Sequence, residues 1–395
     1  MNFLHRAWAQ INLDNLINNF ELIKRAAGGS KVMSVVKADA YGHGAVEVAR
    51  ALESAGTDWF AVSNLEEGLQ LRRADITRPI LVLGTTPPEY ASVLAVNNIT
   101  QAVYCSEYAE QLSDVALREG VTVSVHIKLD TGMRRIGFNA ADEEEINAAA
   151  RACRLGGFDA QGIFTHFASA DKDGDNDGTF TDRQFELFCR AVKKIESTGV
   201  KFKLRHCCNS AAALTRPEMR MDMVRAGIIL YGLMPSKDVQ AEGYKPVMSL
   251  HAAVSMVKTV AAGEDISYGR TYTAEHDMRV ATVPIGYADG YLRAFSGARV
   301  IAGGGYAKVI GRVCMDQMMI DVTGLDVKAG DTVTLFGGDG TLSIPVEELS
   351  SLAGTINYET VSLLSKRITR VYIENGRQIG YTNLLTPKED RNESN

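Results

Sequence analysis

Between residues 14 and 230 the chain repeats one pattern: an apolar, β-branched run, then a window with helical spacing. Eight such runs can be read, at residues 32–36, 59–62, 80–83, 101–104, 121–129, 160–165, 202–207 and 223–230. Strands that face water on one side alternate apolar and polar residues; these do not, so both faces must be covered, as in a parallel sheet wrapped by helices. Helical windows lie between them at residues 15–26 (Asp14 as N-cap; Leu16, Ile17, Phe20 and Ile23 on one face), 45–55, 107–119, 143–154 and 183–197. A doubly wound open sheet usually stops at five to seven strands. Eight alternations within a single domain predict a closed (β/α)8 TIM barrel.

Past residue 247 the pattern changes to Val, Ile, Gly and Asp with turn signals at 329–331 (Ala-Gly-Asp) and 374–376 (Glu-Asn-Gly), which predicts a mostly antiparallel β domain. Residues 345–353 and 358–366 read as short helices within it, and Gly303-Gly304-Gly305 as a turn. Residues 6–13 alternate with period two and are expected to pair with this domain. The division is therefore a barrel over residues 10–243 and a β domain over 244–383 joined by a strand from residues 1–9, with a polar, fraying tail over 384–395. With 46% hydrophobic residues, 395 residues suffice for two cores.

A formal charge of −6 argues against a partner made of nucleic acid, and a small-molecule substrate is the better expectation. The six cysteines show neither disulfide density nor CxxC spacing; they read as reduced thiols of a cytoplasmic protein and give no metal-ligand pattern. No apolar run has membrane-spanning length, and residues 1–14 lack the apolar core of a secretion signal.

Barrel enzymes place their chemistry at the carboxyl ends of the strands. There the first run ends in Lys37, with Tyr41 four residues on; the fifth in Lys128-Leu-Asp130-Thr-Gly132-Met-Arg-Arg135; the sixth in His166; the seventh in Asn209-Ser210; the eighth carries Arg225 and meets Gly227. A lysine at a dry barrel mouth loses proton affinity, and its free amine can attack a carbonyl, most commonly the aldehyde of pyridoxal phosphate. Tyr41, Asn209, Ser210, Gly227 and Ile228 offer hydroxyls and amides for that cofactor's phosphate, and Arg225 a donor for its ring nitrogen.

These stretches, "VVKADAYGHG", "KLDTGMRRIGF", "THFASAD", "NSAA" and "VRAGIILYGL", together with "SYGRTYTA", "PIGYADG", "GRVCMDQ" and "INYE" in the second domain, resemble the alanine racemases, fold-type III pyridoxal-phosphate enzymes, essentially end to end. The resemblance implies that Lys37 holds pyridoxal 5′-phosphate covalently and that Tyr268 is a second base, Lys37 serving D-alanine and Tyr268 L-alanine. It also implies a hydrogen-bonded chain from Tyr268 through His166 to Arg225, and N-carboxylation of Lys128, which would orient Arg135 toward the cofactor and substrate. Met315 would bind the substrate carboxylate through its backbone. Tyr358, beside the cofactor, would form an inner gate with Tyr268, and Asp171, Tyr287, Arg293, Arg312 and Ile356 would line the entry corridor. The family pattern further implies a homodimer in which Tyr268, Met315 and Asp316 enter the site from the partner, and a supply of D-alanine for peptidoglycan. A serine or broader amino-acid racemase and a decarboxylase of the same fold type are the alternatives, with a non-catalytic pyridoxal-phosphate carrier as a third. Two features depart from the pattern: Cys207-Cys208 before Asn209, expected to confer oxidation sensitivity, and Arg134 before Arg135.

Overall fold

The computed structural model describes residues 3–172, 179–338 and 340–386; most of the polar tail, residues 387–395, lies outside them. The chain divides into two units. One comprises Leu16–Ala40 and Ala45–Lys245, so it starts at Leu16 and not at residue 10; the other comprises the chain up to Asn15, Tyr41–Gly44 and the chain from Pro246 on. Residues 10–12 fall in the second unit because they belong to the strand Ala7–Asn12, which pairs with that unit's sheet.

Numbered along the chain, β1 is Ala7–Asn12, β2 Lys31–Val35, β3 Trp59–Val62, β4 Ile80–Val82, β5 Ile99–Val103, β6 Val123–Asp130, β7 Phe138–Asn139, β8 Phe158–Phe164, β9 Leu204–His206 and β10 Met223–Ala226. In the first unit eight strands run parallel in the order β10-β2-β3-β4-β5-β6-β8-β9, with β7 a short addition to β6. The circle is completed beyond the ladders. Asp222 N–H donates to Arg205 O (3.1 Å) and Arg225 N–H to Cys208 O (3.0 Å), joining β10 to β9. Every residue of β3, β4 and β5 is buried, as two-sided cover requires.

Several element ends differ from the sequence reading for local reasons. The eighth strand stops at Ala226, since Gly227 adopts φ −108°, ψ −113° and Ile228–Tyr231 curls into a 3₁₀ turn. Leu13–Ala27 is capped by Asn12, whose Oδ1 accepts from Asn15 N–H (2.9 Å), and not by Asp14, whose carboxylate accepts from Asn375 N–H. The helix Leu65–Arg73 escaped the periodicity reading because Gly68 interrupts it; a Cβ at Gly68 would lie 3.1 Å from Ile99 Cδ1, so glycine lets the helix pack closely on the barrel. Cys207 and Cys208 are buried, and both Sγ–H groups point to Met219 O (3.0 and 3.2 Å). Burial pushes the Cys207 thiol well above its ordinary range. Since oxidation proceeds through an accessible thiolate, the pair does not form the oxidation-sensitive site expected from its sequence.

In the second unit β1 lies between Met248–Ala253, antiparallel, and Thr369–Glu374, parallel, within one large and otherwise antiparallel sheet. Gly303 and Gly304, both at positive φ, make the two-residue turn between Arg299–Ala302 and Gly305–Ile310; Asn375-Gly376 makes the same kind of turn before Arg377–Thr382. The two short helices are Val346–Leu352 and Asn357–Ser362, the latter ending four residues earlier than its sequence suggested.

Candidate functional site

In the barrel unit the predicted residues gather at the strand ends. Lys37 stands two residues past β2, and the backbone then turns the wrong way for L-amino acids: Ala38, Asp39, Ala40 and Tyr41 all have φ between +53° and +55°. A left-handed turn costs about 1–2 kcal/mol per residue, so this segment stores several kcal/mol that its surroundings must offset. Ala40 N–H donates to Val36 O (2.9 Å), Ala38 N–H to Glu67 Oε1 (2.7 Å), and Ala45 N–H to Asp39 Oδ1 (2.8 Å). Burial first, then the charge of Arg135, lowers the proton affinity of Lys37, while Glu67 acts in the opposite direction.

Arg225 on β10 is buried, and its side chain hydrogen-bonds through the two terminal nitrogens. One donates to His206 Nδ1 (2.9 Å) and His206 O (3.1 Å), the other to Thr165 O (2.8 Å), Cys207 O (2.9 Å) and His166 Nδ1 (3.3 Å). Burial lowers its pKa only to about 10, so it stays cationic at neutral pH. Because a guanidinium can only donate, each Nδ1 it touches must accept, and the neutral rings carry their proton on Nε2. Burial and the Arg225 charge, in that order, hold both His166 and His206 well below the ordinary imidazole range. His206 Nε2–H then donates to His126 Nδ1 (3.0 Å), extending the chain into the barrel interior. Sequence reasoning missed His126 and His206; the available signal was the period-two spacing that puts His126 on the same strand face as Lys128.

Lys128 on β6 is also buried. Its Nζ donates to Leu129 O (3.0 Å) and lies 5.2 Å from the Phe164 ring centre. Burial, Arg225 and Arg135 together disfavour its ammonium form and hold it well below the usual lysine value against the opposing charge of Asp130. The Asp130 carboxylate is instead engaged with Gly132 N–H (2.9 Å) and Arg134 N–H (3.1 Å), which shapes the loop leading to Arg135. Asn209 Oδ1 caps the helix Ser210–Thr215 by accepting from Ala212 N–H (3.0 Å). Ser210 Oγ accepts from Gly227 N–H (2.9 Å), so the Gly227 amide is not open as sequence reasoning supposed, while the Ser210 hydroxyl keeps its hydrogen to give. Ile228 opens a 3₁₀ turn that has no side-chain cap. Asp171 accepts at its backbone oxygen from the Ser236 hydroxyl.

The second unit holds the rest. Tyr268 sits on the turn Tyr268–Arg270 with 70% of its surface exposed, and Met315 is 53% exposed; both line one concavity of about 1060 Å³. Ser267 Oγ donates to Arg312 O (2.7 Å) and accepts from Arg312 N–H (3.0 Å), which ties the two segments together. The Met315 loop rests on the segment after Pro284: Tyr287 N–H donates to Cys314 O (3.1 Å) and Ala288 N–H to Met315 O (3.0 Å). A Cβ at Gly286 would lie 2.2–2.5 Å from those carbonyls, so only glycine allows this approach. Beneath it the buried Asp289 carboxylate takes a two-point contact from Arg6 (2.7 and 3.0 Å) and one from Arg367 (3.4 Å), which also pairs with Asp316 (2.7 Å). Arg293 begins the turn Arg293–Phe295, and Ile356 is exposed just before the helix Asn357–Ser362. Tyr41 is buried, with its ring 6.1 Å from that of Tyr358.

Comparison with known proteins identifies the family. The family model described as alanine racemase, N-terminal domain, matches residues 11–235, and that described as alanine racemase, C-terminal domain, matches residues 247–372. The chain belongs to the alanine racemase family. It is 43% identical over 97% of its length to an alanine racemase of Clostridium tetani, covering 99% of that protein. Among solved structures it resembles an alanine racemase of Clostridium difficile 630 (TM-score 0.92, 41% identity, 98% of this chain and 100% of that one). A histidine racemase of Leuconostoc mesenteroides is also similar (TM-score 0.87, 32% identity, 94% and 100%), so the family's scaffold is found with more than one substrate name.

The family implies pyridoxal phosphate, and the barrel residues fit it. Within the Arg225 guanidinium the Nε–H has no protein acceptor among the described residues, which suits it to a pyridine nitrogen that only accepts. Lys37 is disposed toward a free amine, and the Ser210 hydroxyl and the uncapped turn at Ile228 suit a phosphate.

Proposed function

We propose that this chain interconverts L- and D-alanine as a homodimer, using pyridoxal phosphate held on Lys37. Bound there, the cofactor would withdraw electrons from the amino acid and acidify its α-hydrogen. The rest falls to the protein. Inverting a stereocentre by proton transfer needs a base on each face, and Lys37 Nζ and the phenol of Tyr268 of the partner subunit are the two groups of suitable chemistry. A free phenol has a pKa of about 10, so a phenolate at neutral pH needs stabilising by about 4 kcal/mol. The neutral His166, with its proton fixed on Nε2 by Arg225, would be the donor that supplies part of it. Arg225 gives no proton to the ring nitrogen, which would keep the ring a moderate electron sink and limit side reactions.

A neutral Lys128 is the state from which a carbamate forms, and as an anion it would orient Arg135 against the cofactor and substrate. Tyr41, Asn209, Ser210, Gly227 and Ile228 would frame the phosphate, with Tyr358 alongside. Backbone at Met315 would bind the substrate carboxylate. Tyr268 and Tyr358 would narrow the pocket to a methyl side chain, with Asp171, Tyr287, Arg293, Arg312 and Ile356 lining the way in. No helix among the described residues is long and apolar enough to cross a membrane, and a cytoplasmic enzyme supplying D-alanine for peptidoglycan is the physiological reading we attach.

The observation that carries the proposal is the Arg225–His166 pair beside two lysines disposed to be neutral. Chiral chromatography after incubation with L-alanine tests it: D-alanine should accumulate to equality without release of carbon dioxide. Faster conversion of serine or histidine would reassign the substrate, and carbon dioxide would point to a decarboxylase.

A further inference from the structure

Glu67 has no part in the reading above, yet its carboxylate occupies an unusual place. It is the third residue of the helix Leu65–Arg73, whose N-cap Asn64 accepts from Glu67 N–H through Oδ1 (3.0 Å). In an ordinary capping box the acidic side chain at this position returns to the N–H of the cap residue itself. Here Oε2 accepts from the N–H of Ser63, the residue before the cap (2.7 Å), and Oε1 leaves the helix to accept from the N–H of Ala38 (2.7 Å). Ser63 directly follows β3 and Ala38 directly follows Lys37, so one carboxylate bridges the ends of two neighbouring strands. Ala38 is also the first residue of the left-handed turn, where the backbone most needs an external acceptor.

We propose that Glu67 is a positioning residue for Lys37, its two oxygens clamping the backbone on either side of the barrel mouth so that the strained turn, and with it the lysine, keeps one conformation. The inference rests on the reading that Lys37 is the cofactor lysine. Charge supplies a second strand of the argument. The groups acting on the Lys37 amine are Arg135, which disfavours its proton, and Glu67, which favours it, while Lys37 in turn helps keep His166 neutral. Glu67 thus also limits how far the amine is discharged.

Two variants of the full-length chain separate clamp from charge. Glu67→Gln is nearly isosteric, but its amide has one acceptor for two N–H groups and no charge. Glu67→Asp keeps the charge and is too short to reach both. Hydrogen exchange followed by mass spectrometry should show peptides covering residues 37–44 exchanging at least about tenfold faster in both variants. Residues 123–130 on β6 should be unchanged, which shows the barrel intact. The pH midpoint for labelling Lys37 with trinitrobenzenesulfonate, after hydroxylamine treatment to free the amine, should move to lower pH in Glu67→Gln and stay at the wild-type position in Glu67→Asp. Wild-type exchange over residues 37–44 in both variants would overturn the clamp, and an unmoved midpoint in Glu67→Gln would overturn the electrostatic part. Both readouts use the protein's own amides and amine. A wild-type chain that fails to take up pyridoxal phosphate would sink the functional reading without deciding this one.

Discussion

Acid should weaken this protein well above the range where its carboxylates titrate, through three buried imidazoles. His126 is held at about 3 by burial and by the Arg225 charge, and His166 and His206 are lowered well below the ordinary 6.5 by the same two causes in the same order. The sign follows from linkage. Below pH 6.5 the unfolded chain takes up a proton on each ring and the folded chain does not, so stability present at neutral pH is lost as pH falls. For His126, held at about 3, the difference 6.5 − 5 amounts to about 2 kcal/mol at pH 5, and His166 and His206 act in the same direction. Even the His126 part is a sizeable fraction of a typical domain's stability of about 5–15 kcal/mol. Urea unfolding at pH 7.5, 6.5, 5.8 and 5.0 measures it. Trp59, whose ring lies 5.2 Å from that of His126, serves as the fluorescence reporter. In His126→Gln, which cannot titrate, the fall between pH 6.5 and 5 should shrink by about 2 kcal/mol. A stability flat across that interval, or a variant with the parent's slope, would refute the assignment of three neutral rings.

Two further outcomes bear on the site. Arg225→Glu can accept a proton as well as a hydrogen bond, so it should slow racemisation by about 10²-fold or more and divert turnover to transamination, read as pyruvate released from alanine; unchanged partitioning would remove the role given to Arg225. Asp289→Asn leaves Arg6 and Arg367 facing a neutral amide. Both arginines are partly solvated, so the loss should be about 2–3 kcal/mol, below that for a fully buried pair, with KM for alanine rising more than kcat falls as the Met315 loop loosens. A kcat effect alone would argue that the loop does not bind substrate.

The barrel was legible because two-sided burial writes itself into uninterrupted apolar runs, and Lys37, Lys128, His166 and Arg225 because each is a polar residue where such a run ends. The β domain was legible mainly at its turns, where Gly303-Gly304 and Asn375-Gly376 need positive φ. What escaped has a common physical character. The left-handed turn at Ala38–Ala40 uses residues that normally avoid it, and only tertiary acceptors such as Glu67 Oε1 explain how it persists. Leu65–Arg73 was hidden by a glycine kept for packing. His126 and His206 face the barrel interior among apolar neighbours, where a sequence shows a polar letter but not the partner that satisfies it. The fate of Cys207-Cys208 turned on burial, which adjacency in sequence does not encode.

The central claim is that Lys37 of one subunit works with Tyr268 lent by the other, and subunit mixing tests it most directly. Lys37→Ala and Tyr268→Phe should each be nearly inactive alone. After the two are unfolded together and refolded, about half the dimers should be mixed, and one of the two sites in each mixed dimer carries both wild-type residues. The account predicts racemisation returning to about a quarter of the wild-type rate; a mixture as inactive as its parents would contradict it.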